Sequence, residues 1–394
     1  MGGSPTDDWA ASPPGRTADL GNWRTAPHSR WAFRNVRQIL PTAAVSRRAG
    51  DHLALETARQ DLGPLRLKAE GRSLTVAEAL AESDTDGFLV LKSGRVVYAF
   101  LAEGMTASTR HVMFSVSKSV AGLVFGMLVD RRLIEPQRPV EHYLPAMSGS
   151  AYADASVQQV LDMSVGVDFR ENYALRGDDV DRYRRATGWD VAESGDGGET
   201  TRQVIRALPR AEFAHGDRFN YVSPNTDLLG WLAEAVTGTP YPALLTEWLW
   251  QPLGAEYDAD FPVDRRGVAR AAGGLCATLA DIGRVGLLMT QTPPVEGILP
   301  AAFVHDTLTR GDAAAWDKGT AAAYMPGGSY RNQWYVPNGK DEVCIAIGIH
   351  GQWLYVDRRR DVVIVKQSSQ PEAVQMATDF MMLRMFEAVA RALA

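Results

Sequence analysis

A serine and a lysine three residues apart, Ser115-Val116-Ser117-Lys118, form the only S-x-x-K in the chain. A serine hydroxyl is a poor nucleophile until a neighbour takes its proton. A lysine can do so only if desolvation or nearby charge has lowered its own pKa. Positions i and i+3 share one face of a helix, so a helix starting at Ser115 lets the Lys118 amine reach the hydroxyl. The helix N-terminus would add backbone N–H groups and a positive dipole end, which suit a developing oxyanion. The competing reading is a plain N-cap serine, and the tetrapeptide alone does not choose between the two.

Two further segments carry candidate chemistry. Phe219 to Asp227 (FNYVSPNTD) reads as a polar loop ahead of a helix starting near Asp227. A lysine beside Tyr221 would draw the phenol pKa down from about 10, making it a proton shuttle; otherwise its ring packs and its hydroxyl caps the turn. Ile347 to Gln352 (IGIHGQ) reads as a strand whose glycines let backbone approach a ligand closely. A lone histidine at a strand end, His350, is read as a structural hydrogen-bonder and not as a base.

Other chemistries lack their motifs. There is no H-E-x-x-H, no G-x-x-x-x-G-K-[ST] and no G-x-S-x-G, so no metal and no cofactor is expected. Cys276 and Cys344 have no C-x-x-C or metal spacing and read as buried thiols. The 41 basic residues, of which six are lysines, face 47 acids for a net charge of −6, which disfavours nucleic acid as a partner. No apolar run approaches the roughly 20 residues of a membrane span, and the N-terminus lacks the basic-then-apolar pattern of a signal peptide. A cytoplasmic location without membrane contact is expected; a homodimer stays open.

The elements that must position these residues follow from periodicity. Residues 1–27, rich in Pro, Gly, Ser and Asp, predict a flexible arm. DGFLVLKSGRVVYAF from Asp86 predicts a hairpin turning at Lys92 to Arg95. Ser115 to Ile134 predicts a helix with two arginines in its last turn. Helical segments dominate about 150–260, and strands return in DEVCIAIGIHG, QWLYVD and DVVIVKQSS before a final helix from about Glu372 to Leu393. The expectation is an α+β fold: a central antiparallel sheet flanked by helices, with sheet parts at about 28–114 and 262–394 and a mainly helical insertion at 115–261, all one domain over 28–394.

Taken in order, FSVSKS, FNYVSPNTD and GIHGQ resemble the serine β-lactamase and penicillin-binding-protein superfamily, in its class C-like branch. GGLCATLADIGRVG is similar to that branch too, and HSRWAFRNVRQILPTAAVSRR and GSYRNQWY, together with FSVSKS, FNYVSPNTD and GIHGQ, narrow the resemblance to the 6-aminohexanoate-dimer hydrolases. That resemblance implies a β-lactamase-like fold and an acyl-enzyme on Ser115, with Lys118 as proton acceptor and Tyr221 as proton shuttle. It implies an oxyanion hole from the N–H groups of Ser115 and Ile349. Tyr173 matches a tyrosine on a mobile loop that closes over substrate, and Trp189 and Trp334 match pocket aromatics.

The departures from that pattern shape the expected substrate. A Lys-Thr-Gly motif is replaced by Gly348-Ile349-His350, and Tyr-x-Asn reads Tyr221-Val222-Ser223, which argues against efficient lactam hydrolysis. Arg184 occupies the position where relatives can carry an aspartate for the substrate ammonium, with Asp179 or Asp181 as substitutes, and Ala272 stands where asparagine or histidine is expected. The expected function is therefore a serine hydrolase of small-molecule carboxylic esters, with linear amides such as the aminohexanoate dimer second. The alternatives are a β-lactamase or D-amino-acid peptidase, and a catalytically silent binding protein.

Overall fold

The computed structural model describes residues 18–69, 71–173, 179–192, 198–339 and 342–394. The predicted hairpin forms β1 (Thr85–Lys92) and β2 (Arg95–Leu101). Ser93 and Gly94 turn it, at φ 48° and 73°, the two successive left-handed residues that a two-residue hairpin of this hand requires. The last third supplies β3 (Ser329–Arg331), β4 (Trp334–Val336), β5 (Val343–Gly348), β6 (Gln352–Asp357) and β7 (Val362–Ser368). These seven strands make one antiparallel sheet in the order β2-β1-β7-β6-β5-β4-β3. A strand from the first quarter of the chain thus pairs with one near its end, Leu89 opposite Val365 and Leu91 opposite Val363.

Six helices bear on the site: α1 (Val76–Glu82), α2 (Val116–Asp130), α3 (Asp179–Ala186), α4 (Ser223–Thr237), α5 (Leu279–Leu287) and α6 (Met376–Ala392). Strand residues alternate between the two faces of the sheet. Phe88, Val90, Tyr355 and Ile364 pack with α1 and α6, while Leu89, Leu91, Leu354 and Val363 pack with α2, α4 and α5. Burial on both faces explains why these strands read as unbroken apolar runs.

Three boundaries differ from expectation. Helix α2 stops at Asp130, and Arg132 lies beyond it at φ 58°, so the two arginines are outside the helix and not in its last turn. Helix α4 starts at Ser223, four residues before Asp227, because Pro224 in its first turn has no N–H that an intrahelical bond would need. The arm is also shorter than residues 1–27. Trp23 is 1% exposed and packs against Phe33, Phe114 and Trp189, since an indole of that area gains more from burial than loop entropy costs. Residues 1–17 lie outside the described residues.

A second sheet of four short strands, in the order Thr42–Val45, Ala259–Pro262, Cys276–Ala277 and His111–Val112, holds the chain just ahead of α2. Helix α2 itself is clamped at Gly122, where an added Cβ would collide with the Asn332 backbone carbonyl. Gly122→Ala is expected to cost about 1–3 kcal/mol of stability through overpacking, outweighing alanine's better helix propensity. A thermal melt at or above the parent's Tm would contradict that.

Candidate active site

Ser115 sits at the N-cap of α2, 9% exposed, directly after Phe114, whose φ of 44° is left-handed and strained for a bulky residue. Ser117 locks this turn: its Oγ donates to the Phe114 carbonyl (2.6 Å) and accepts from Leu275 N–H (2.9 Å). One turn on, Lys118 Nζ lies 2.8 Å from Ser115 Oγ and donates to the Ala272 carbonyl at 2.7 Å. Lys118 is fully enclosed. Desolvation lowers its pKa to about 8, even though Glu171 and Asp227 pull it up. Burial alone does not single it out: Lys366 is equally buried and is held down to about 7, but its Nζ donates to the carbonyls of Ser83 and Gly351. What distinguishes Lys118 is the serine oxygen within hydrogen-bond reach.

Tyr221 faces this pair, with Lys118 Nζ 5.0 Å from its ring centroid. The expected fall of the phenol pKa is not found. Burial, with Tyr335, Tyr173 and Glu171 nearby, pushes it well above its ordinary value, and the lysine lies over the ring face. The neutral phenol is therefore the resting form. At β5, a Cβ on Gly348 would lie 2.5 Å from the Met113 carbonyl and 3.1 Å from Ser115 N. Only glycine lets the Ile349 backbone approach the serine this closely.

Two compartments meet at Ser115, and both also touch Ile349 and Tyr173. The larger, about 270 Å³, is mostly apolar and lined by Tyr221, Tyr335, Trp353, Met376 and Phe380. It continues into an outer hollow of about 710 Å³ that shares Tyr324, Met325, Phe380 and Leu383. The smaller, about 30 Å³, is walled by Arg24, Arg184, Arg270 and Trp189. Another large hollow, about 690 Å³ beside Trp231, does not reach the serine.

Trp189 lines the smaller compartment and Tyr173 lines both; residues 174–178, which follow Tyr173, are outside the described residues. Trp334 does not line either compartment. It is 0% exposed on the core side of β4, and strand alternation presents its neighbour Tyr335 to the cleft instead. His350 is structural. Held at φ 59°, its Nδ1 bonds to the Gln370 carbonyl (2.8 Å), its ring packs on Phe33 and Phe114, and burial lowers its pKa to about 4. Asp181 pairs with Arg184 at 3.3 Å, and Asp179 accepts from Arg170 N–H. Both cysteines are buried and free.

Sequence reasoning missed Glu171, Arg270 and Arg24. Glu171 accepts from Ser223 N–H (2.6 Å), from Ser223 Oγ and from the Tyr173 hydroxyl, tying the Tyr173 loop to the start of α4. A carboxylate at a helix N-terminus is favoured by the dipole. Its proximity to Tyr173 in sequence was the only available signal. Among the described residues no group of three His, Cys, Asp or Glu could hold a metal ion, and no helix is long and apolar enough to cross a membrane.

A family model described as Beta-lactamase matches residues 75–381. The chain is 38% identical over 356 residues to 6-aminohexanoate-dimer hydrolase of Paenarthrobacter ureafaciens, covering 90% of this chain and 88% of that protein. Its fold is similar to that of a provisionally named 6-aminohexanoate-dimer hydrolase from Bacillus anthracis, with a TM-score of 0.87 at 23% identity over 97% and 98% of the two chains. It is also similar to EstCE1, a hydrolase with promiscuous acyltransferase activity, with a TM-score of 0.62 at 18% identity over 80% and 96%. This chain belongs to the beta-lactamase family, in the company of 6-aminohexanoate-dimer hydrolase, and is a hydrolase.

Proposed function

We propose that the protein cleaves carboxylic esters, and linear amides of similar shape, through an acyl-enzyme on Ser115. The observation that carries this reading is the 2.8 Å contact between Ser115 Oγ and a desolvated Lys118 amine at a helix N-terminus. A neutral amine has two N–H bonds and one lone pair. With one N–H committed to the Ala272 carbonyl, the lone pair is free to accept the serine proton as Oγ attacks the substrate carbonyl.

The oxyanion that forms is stabilised by the N–H groups of Ser115 and Ile349, neither of which, among the described residues, donates to another backbone group outside the regular elements. Tyr221, protonated at rest, gives its proton to the leaving oxygen or nitrogen and is reprotonated from Lys118. Water then enters from the cleft, the same groups move its proton in reverse, and the carboxylic acid is released.

Labelling by a fluorophosphonate tests the assignment. A mass increase confined to the Ser115 peptide is expected, and labelling elsewhere would remove Ser115 from the role. The rate should also depend on pH in a definite sense. The reactive form of Lys118 is the unprotonated one, and its lowered pKa means that this form grows as pH rises through about 8. Labelling should therefore climb about tenfold per unit below that value and level off above it; a rate falling with pH would sink Lys118 as the base.

A further inference from the structure

We propose that the small compartment beside Ser115 is a carboxylate-binding subsite, so that the preferred substrate is a monoester or monoamide of a short dicarboxylic acid. This deepens the reading above and rests on it. The direction of binding comes first. Tyr221 lines the apolar compartment and not the small one, so a leaving group that takes its proton occupies the apolar side. The acyl chain then runs into the small compartment.

The wall it meets is built of hydrogen-bond donors. Arg270 is 8% exposed and Trp189 4%, and among the described residues the Nε and Nη1 of Arg270 and the indole N–H of Trp189 have no hydrogen-bond partner. Buried donors without acceptors are rare in folded proteins, and here three of them belong to residues of one small cavity. The nearest acid, Asp227, stays 4.0 Å from Arg270 Nη1, with its oxygens taken by Ala272 N–H and the Tyr183 hydroxyl. The Arg270 guanidinium is held in place by stacking, 4.3 Å from the Tyr183 ring centroid and 4.5 Å from that of Trp189.

Two more guanidinium groups share the wall. Arg24 pairs with Asp190 at 3.0 Å and Arg184 with Asp181 at 3.3 Å. Burial and then repulsion by Arg184 hold Arg24 down to about 10, with Arg270 adding to the effect, which records how closely the three cations crowd. Glu171, the one acid lining the compartment among the described residues, is occupied by Ser223 and Tyr173. A planar carboxylate complements a fixed guanidinium fork. An ammonium at the same place would face three cations, and a methyl group would leave the donors unpaired. The compartment, about 30 Å³, is the size of roughly one water in the liquid, so it selects short acyl chains and takes a glutaryl chain only as its wall side chains move outward.

Three butyl esters of equal acyl length test this: monobutyl glutarate, butyl pentanoate and butyl 5-aminopentanoate, followed by release of butanol. The wild type should prefer the acid-ended ester by at least about tenfold in kcat/KM, the order expected when a site's buried donors are left unpaired by a poorer substrate. Free glutarate should inhibit nitrophenyl acetate hydrolysis competitively. In Arg270→Gln the ratio of acid-ended to neutral ester should fall about tenfold or more, and Arg270→Lys should recover part of it.

Equal or better turnover of the neutral or amine-ended ester by the wild type, or an unaltered ratio in a folded Arg270→Gln, overturns the subsite and leaves the Ser115 chemistry standing. No turnover of any ester together with no label on Ser115 overturns both. Should Arg270→Gln not fold, the wild-type preference and the glutarate inhibition decide the matter.

Discussion

Ser115→Ala is expected to lower kcat/KM for a short-chain nitrophenyl ester by about 10⁴-fold or more, while leaving the fold intact. The size follows from what is removed. Without Oγ no acyl-enzyme forms, and only positioning and the oxyanion N–H groups remain, a residue of catalysis that nucleophile deletions in other serine hydrolases leave far below the parent. Structural cost should be small, because Ser115 Oγ makes no cap bond to α2 and its one bond is to Lys118. Near-parental turnover in a purified Ser115→Ala sample would end the acyl-enzyme proposal, and so would unaltered burst kinetics.

Tyr221→Phe carries the second largest expectation, and its size should depend on the leaving group. Nitrophenolate departs without a proton, so loss of the phenol should lower kcat/KM for such an ester, which reports acylation and not the later entry of water, by less than about tenfold. An alkoxide or amide nitrogen must be protonated as it leaves, and there the loss should reach about 10²- to 10⁴-fold, the range of general acid catalysis. The ring stays, packed near Phe219 and Tyr335, so folding is not at issue. A uniform loss across leaving groups would instead mean that Tyr221 shapes the cleft and does not donate the proton.

These residues were legible from the sequence to different degrees, for physical reasons. Ser115 and Lys118 are local: one helical turn brings them together whatever the rest of the chain does. The hairpin of β1 and β2 is local in the same sense. Trp334 was misplaced because alternation tells which residues share a face but not which face meets the cleft. One step along β4 is the difference between Trp334 in the core and Tyr335 on the site. The start of α4 was misplaced because Pro224 reads as a turn former, whereas the first turn of a helix accepts it.

Arg270, Arg24 and Glu171 are a different case. Arg270 lies 155 positions after Ser115 and Arg24 lies 91 before it, and nothing short of the tertiary fold brings them to one cavity. The direction of the Tyr221 shift had the same origin. From sequence a lysine neighbour was foreseeable, but the burial that outweighs it, together with Tyr335, Tyr173 and Glu171, was not.

The segment around Trp23 has a consequence for how such an enzyme changes over evolutionary time. It precedes the stretch that the family model matches, residues 75–381, yet it is anchored to Trp189 by the Trp23 indole (3.2 Å) and by Arg24 (2.9 Å). One guanidinium of the proposed subsite, Arg24, therefore stands on a length of polypeptide apart from the bond-breaking groups. A change in the leading segment also reaches the Ser115 turn, because Trp23 and Phe33 pack on Phe114, the residue just before the serine. Edits to those first few dozen residues would therefore retune the subsite and the support of the serine together.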